Sequence, residues 1–313
     1  MKLENNIILI LVAAIGIYGI FLFLSDFSII SEKISNFKIN YLPLILLLVS
    51  VSWIPLIIKW HFLLKNSRIN VPLTKSIAIF FSGSAFEITP GQIGILIKSQ
   101  LLKTSSNISR TKTIPIVIVE KIYDLIGAIL ASVIGIIILG MEFYLIIIAI
   151  SILATIFFFM YHRRSSELVF NRITKLKFFS KYIDNMSEFY EVVKKSTSVK
   201  AATICILLAL TYWFIISAAA YYTLIAFDVN LLDYLKVLAI YATSTLLGAI
   251  SFIPGGIGIT EGSIAGLFTL NGVDVSTALI LSVMIRVLTL WYSVSAGFIS
   301  LKFTGAFSSK YSS

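Results

Sequence analysis

Apolar residues run along this chain in stretches of about 20, the number a helix rising about 1.5 Å per residue needs to cross about 30 Å of hydrocarbon. Six segments have that length, approximately Asn6 to Leu24, Tyr41 to Phe62, Thr113 to Leu139, Phe143 to Tyr161, Ala201 to Phe227 and Thr277 to Leu301. The second carries Pro43 and Pro55, the latter placed to kink it. After the first come Ser25 and Asp26 with no small-residue cleavage signal, so a retained helix is expected there.

Two further apolar regions are interrupted near their middles. One runs from about Lys75 to Leu102 and breaks at Thr89-Pro90-Gly91-Gln92-Ile93-Gly94; the other runs from about Leu235 to Leu270 and breaks at Ile253-Pro254-Gly255-Gly256-Ile257-Gly258. Each half is too short to span alone. Proline removes a backbone donor and glycine unwinds the helix, which lipid tolerates only where protein or a wet cavity satisfies the freed groups. A re-entrant helical hairpin is therefore expected at each break.

Charge tests this topology. With six crossings and two hairpins, one face collects Lys2, Lys65, Arg68, Lys75, Lys103, Arg110, Lys112, nine Lys or Arg between Arg163 and Lys200, Lys302 and Lys310. The opposite face collects Lys33, Lys38 and Lys236 against six acidic residues. The positive-inside rule puts both termini in the cytoplasm of a cell membrane protein. The formal charge of +10 thus reads as topology, and no nucleic-acid partner is expected. A hydrophobic fraction of 58% with mean hydropathy +0.98 is too apolar for one soluble core of this length. The expected fold class is an all-α polytopic membrane protein, residues 1–313 forming a single integral membrane domain. Its polar segment, 162–200, is cytoplasmic and mixes Lys175, Lys177 and Lys181 with Phe178, Phe179, Tyr182 and Phe189, as a helix on an anionic headgroup layer or a solvated linker would.

The two breaks align residue by residue, and each is preceded and followed by a spanning segment. The first unit covers about 41–139 and the second about 201–301, with opposite orientations in this topology. Inverted repeats with broken helices are the pattern of alternating-access transporters, whose site lies near the midplane.

Charges follow the same repeat. Glu87, Lys98, Glu120, Lys121, Asp124, Glu261 and Arg286 fall inside or beside apolar segments, where each costs roughly 2.5 to 3.5 kcal/mol to insert and should face inward and pair. Lys98 follows Pro90 by eight residues and Glu261 follows Pro254 by seven; Glu120 and Arg286 follow them by thirty and thirty-two. Equivalent places hold opposite charges. Glu120 and Asp124, one turn apart, share a helix face. Lys59 reads as a residue snorkelling to the interface, and Lys121 as a packing charge. The candidate substrate-binding set is Pro90, Gly91, Gly94, Lys98, Glu120, Asp124, Pro254, Gly255, Gly256, Gly258, Glu261 and Arg286, with Glu261 and Arg286 as a gating pair. Helix N-termini after Gly94 and Gly258 would offer N–H groups to an anion such as phosphate, with Lys98 assisting. His61 and His162 lie far apart and Cys205 is the single cysteine, so no metal and no cofactor are expected.

These residues also carry a resemblance. Thr89 to Gly94 with Lys98, Glu120-Lys121-Ile122-Tyr123-Asp124, Pro254 to Gly262 with Glu261, and Arg286 with Trp291 and Gly297 are similar to the lysylphosphatidylglycerol synthase transmembrane-region family of flippase-like membrane proteins. That family commonly has an arginine and an acidic residue in the first block, where this chain has Gln92 and Ile95. The soluble aminoacyl-transferase domain of the bacterial synthases is not expected here. The resemblance implies a translocase moving an anionic lipid (phospholipid, polyprenyl phosphate or lipid-linked sugar) between leaflets, with a lipid-modifying enzyme or glycosyltransferase as a potential partner. The alternative is a secondary transporter of a soluble anion or amino acid. A membrane-embedded enzyme is disfavoured, because no His-rich, Asp-rich or Ser-His constellation is present.

Overall fold

A computed structural model of the chain describes residues 35–89, 94, 96–138, 143–161 and 186–304. The first apolar run, Pro90 and Gly91 of the first break, most of the polar segment and both termini lie outside the described residues. Every regular element among the described residues is helical. They are α1 (Leu42–Asn66), α2 (Leu73–Ser84), α3 (Ile97–Ser106), α4 (Arg110–Ile138), α5 (Phe143–Tyr161), α6 (Met186–Ser196), α7 (Val199–Ala226), α8 (Tyr234–Ile250), α9 (Ile259–Leu270), α10 (Val275–Arg286) and α11 (Tyr292–Phe303), with a π-helical turn, Val287–Trp291, joining the last two.

Among the described residues, three spans are long and apolar enough to cross a membrane: Ile39–Asn66, Val199–Ala226 and Val275–Phe303. α4 and α5 reach 29 and 19 residues. Local signals set several of these boundaries. Ser198, Asp233 and Asp274 cap α7, α8 and α10 by accepting hydrogen bonds from the amides of Ala201, Lys236 and Thr277. α1 continues as helix through Pro55, leaving Leu47, Ile54 and Ile58 exposed on one side and Val49, Lys59, Trp60 and Leu63 buried on the other.

α1 lies along α7, α8 packs on α4, α11 packs on α2, and α7 also touches α4. Two apolar clusters result, one centred on α7, α8 and α10 and the other on α1, α4 and α6. In α6, Phe189, Val192 and Val193 are buried against the second cluster, so Phe189 faces protein and not a headgroup layer as the polar segment suggested. Asn66 and Tyr123 close the end of α6 by donating to the carbonyls of Lys195 and Ser196.

The interrupted regions fold as two pairs of short helices. α2 and α3 have 12 and 10 residues and pack on each other; α8 and α9, with 17 and 12, do the same. A 12-residue helix reaches about 18 Å, well short of about 30 Å. In the second break Gly255, Gly256 and Gly258 hold φ of 62°, 65° and 87°, in the left-handed region that glycine enters without steric cost. Gly256 also lies against α8, where an added Cβ would sit 2.9 Å from the Gly248 Cα.

Gly256→Ala should therefore cost about 1–3 kcal/mol, the scale of a strained left-handed residue, before counting its backbone clash. Gly266→Ala, in the interior of α9 with nothing within 4 Å of the added carbon, should gain about 0.5–1 kcal/mol. Unfolding of the two variants in the same detergent checks both, and equal stabilities would contradict the assignment.

Candidate functional site

Ionic contacts inside the bundle fall into two closed pairs and one open network. Lys98, from α3, places its Nζ 3.0 and 2.9 Å from the two carboxylate oxygens of Glu120, on α4. The amine also lies 4.7 Å from the Trp60 ring centre and 4.8 Å from that of Phe80, so π faces supplement the carboxylate. In the second unit the Nε of Arg286, on α10, donates to Glu261 Oε1, on α9, at 2.9 Å, and its Nη2 donates to the Gly255 carbonyl. All four side chains are buried. In each pair a short helix that follows a break, α3 or α9, is tied to the next long helix, the cation lying on the short helix in the first case and on the long one in the second.

The open network joins α1, α4 and the turn after α2. Lys59, 0% exposed, donates to Asp124 Oδ1. Lys121 lies 3.5 Å from Asp124 Oδ2 and 3.6 Å from Glu87 Oε1. Glu120 and Asp124 share a helix face yet take different partners, because α3 covers one turn and α1 the next.

Between the units lies a cavity of about 260 Å³. The first unit contributes Glu87, Thr89, Lys121 and Asp124 to its wall, and the second contributes Tyr241, Thr245, Gly255, Gly256, Thr260, Arg286, Thr289 and Ser293; Tyr212 and Trp213 of α7 close one side. Charged groups of both signs and several hydroxyls therefore meet at the second break and beside the first. Tyr241 and Thr289 are held by a hydroxyl-to-hydroxyl bond of 3.2 Å, which ties α8 to the π-helical turn.

The structure brings Asp124, Gly255, Gly256 and Arg286 to one cavity wall. Glu261 stands behind Arg286, and Pro254 and Gly258 shape the break. Lys98 and Glu120 are sealed in their own pair. Gly94 is half-buried and serves the turn, its amide donating to Thr89 Oγ1 at 2.8 Å. Two expectations need correction. The amides at Gly94 and Gly258 are not open anion donors, since Gly258 N–H donates to Glu261 Oε2 at 2.7 Å and the carboxylate at the third helical position caps its own helix. Lys59 does not snorkel, because its amine is buried on Asp124. Sequence reasoning did not put Lys59, Glu87 and Lys121 in the site, although the spacing of Lys59 among buried Ser52, Trp60 and Leu63 marks it as inward-facing.

Comparison with known proteins gives the chain its family. It belongs to the family described as the lysylphosphatidylglycerol synthase TM region, whose model matches residues 9–297. It is similar to a UPF0104 membrane protein of Pyrococcus horikoshii, 27% identical over 291 residues that cover 83% of this chain and 85% of the relative. A UPF0104 membrane protein of Methanocaldococcus jannaschii is 25% identical over 219 residues, covering 67% of this chain and 89% of the relative. The chain is a membrane protein with transmembrane helices.

Removing one partner of a buried ion pair strands the other charge, at a cost of about 3–5 kcal/mol, whereas replacing both by apolar residues is often neutral. Lys98→Met and Glu120→Leu should each destabilise the protein on that scale, and the double variant should recover most of the loss. Unfolding in detergent reads all three; additive losses would show that the two charges do not depend on each other.

Proposed function

We propose that the protein is a lipid translocase that binds an anionic headgroup in the cavity between its two breaks and exposes it alternately to each leaflet. The carrying observation is the cavity itself, lined from both units, with Arg286 and Lys121 on its wall. At about 260 Å³ it is smaller than the roughly 300–1,000 Å³ of pockets that enclose a drug-sized ligand. A headgroup fits such a volume and acyl or polyprenyl tails do not, so the tails would remain in the bilayer. Family membership supports a lipid-related role.

In this reading α1, α4, α5, α7 and the α10–α11 span join the first apolar run as six crossings, with both termini in the cytoplasm. The short pairs α2–α3 and α8–α9 are re-entrant hairpins, and α1–α4 and α7–α11 are inverted repeats. Packing supports that symmetry: α1 meets its counterpart α7, while α8 on α4 and α2 on α11 exchange under it. The polarity of the ion pairs supports it too, since each unit closes its break-following helix onto the next long helix through one salt bridge. Arg286, Lys121, Asp124 and the carbonyl-lined break would contact the headgroup, Glu261 would hold Arg286, and Lys98 with Glu120 would be the corresponding latch of the first unit. Pro90, Gly91, Gly94, Pro254 and Gly258 would shape the two breaks. Phospholipid, polyprenyl phosphate and lipid-linked sugar share the anionic chemistry, and an enzyme that makes or consumes such a lipid would be a natural partner.

The cavity's size and its mixture of charges also suit a small soluble ion or amino acid, which keeps secondary transport as the second reading. Vesicles carrying the full chain separate the two. Labelled phosphatidylglycerol or polyprenyl phosphate should change leaflets at least about tenfold faster than in protein-free vesicles, and Arg286→Lys, which keeps the charge and loses the planar fork, should slow exchange about tenfold. Exchange no faster than without protein, together with uptake of labelled glutamate or phosphate, would reverse the order of the readings.

A further inference from the structure

Among the described residues, the charges paired inside the bundle balance. Lys59, Lys98, Lys121 and Arg286 face Glu87, Glu120, Asp124 and Glu261, four cations against four anions joined in contacts of one another. An anionic headgroup entering this interior adds a negative charge to cations that, among the described residues, already face carboxylates, and an uncompensated charge in a low-dielectric site is strongly unfavourable. A balancing positive charge must enter with it.

The geometry singles out the group that would take it. Glu120 and Glu261 are buried and held by hydrogen bonds of 2.9 to 3.0 Å from Lys98 and Arg286. Asp124 lies on the cavity wall but keeps Lys59 as well as Lys121. Glu87 also lies on the wall, is about a quarter exposed, and meets the Lys121 amine at 3.6 Å, beyond ordinary hydrogen-bond length. Lys121 divides itself between two carboxylates. Other groups that act on Glu87 are Lys98 from α3, Tyr212 from α7 and Tyr241 from α8, with Arg286 of α10 across the same cavity.

We infer that the protein is a proton-coupled translocase in which the anionic headgroup displaces Glu87 from Lys121 and the released Glu87 carboxylate takes up one proton. This rests on the translocase reading above. Before binding, the carboxylate of Glu87 neutralises the Lys121 ammonium. After binding, the headgroup oxyanion neutralises Lys121 and Glu87 is a neutral acid, so one anion and one proton have entered and the interior charge is unchanged. Release at the other leaflet runs the same exchange backwards: the proton leaves Glu87 as the carboxylate returns to Lys121. Cargo and proton cross together with no net charge moved, and a pH gradient becomes a driving force for the lipid.

Full-length protein in phosphatidylcholine vesicles with a trapped pH dye tests this, using a trace of labelled phosphatidylglycerol and, separately, labelled polyprenyl phosphate. With one proton per lipid, a gradient of one pH unit should shift the steady-state leaflet ratio about tenfold toward the alkaline side, with proton entry following the lipid. Glu87→Gln, a neutral isostere that should elute as wild type, should exchange lipid at an altered rate and lose the response to the gradient, leaving a ratio of about one, whereas Glu87→Asp, which keeps a carboxyl at that place, should retain the response. Wild-type exchange indifferent to the gradient overturns proton coupling and leaves the translocase standing. A full response retained by Glu87→Gln overturns the assignment to this residue. No exchange of either lipid by wild type overturns the translocase reading and this inference with it.

Discussion

A charge inside a bundle of apolar helices must find its counter-charge there, since neither lipid nor packed side chains will solvate it. In this protein that demand reaches from α1 to α10. Lys59 ties α1 to α4, Lys98 ties α3 to α4, and Arg286 ties α10 to both α9 and the carbonyl of the second break. Those tethers hold α3 on α4 and α9 on α10, beside the cavity that Lys121, Asp124 and Arg286 line. Apolar packing alone could slide by a turn at little cost, because every face of α5 and most faces of α7 are apolar. Ion pairs with hydrogen-bond geometry cannot slide without separating, which gives one register a large advantage over its neighbours.

Backbone supplies the second constraint. A broken helix frees amides and carbonyls that must be satisfied in place. Among the described residues, three such groups are satisfied by the chain's own side chains. Thr89 accepts from the Gly94 amide, Glu261 accepts from the Gly258 amide, and Arg286 donates to the Gly255 carbonyl. Glu261 therefore works twice, once as a helix cap and once as the partner of Arg286. Any movement that separates Arg286 from Glu261 leaves the carboxylate attached to the α9 amide, so the helix cap survives while the latch opens. The two functions being on different oxygens of one carboxylate is what allows that.

Much of this was legible in the sequence because lipid imposes simple rules on length and charge. Phe143 to Tyr161 coincides with α5, and the expected edges near Tyr41, Ala201 and Thr277 fall within two residues of the observed ones. The breaks announced themselves through Pro254 and the glycines that now hold positive φ. Charge spacing from the prolines singled out Lys98, Glu120, Glu261 and Arg286, which pair as Lys98 with Glu120 and Arg286 with Glu261. Pairing across space was harder to read. Nothing in the neighbourhood of Lys59 names Asp124, sixty-five residues away, and an amine two turns from a helix's basic end looks like one that reaches for water. The helix N-termini misled for a related reason: free amides are the default of an isolated helix end, and only the position of Glu261, three residues in, hints that this one is already filled.

The two latches are alike in chemistry and unlike in surroundings, and the difference bears on the proposed cycle. Lys98 is enclosed by Trp60, Phe80 and Glu120, whereas Arg286 shares its guanidinium between Glu261, the break carbonyl and the cavity wall. An arginine can divide itself in this way because its five donors lie in one plane; a lysine amine in a closed aromatic box cannot do so without leaving the box. If the repeats exchange roles during transport, the exchange is consequently not a mirror image: opening the first unit requires Lys98 to give up two aromatic faces as well as Glu120, while opening the second requires Arg286 only to redistribute donors it already shares.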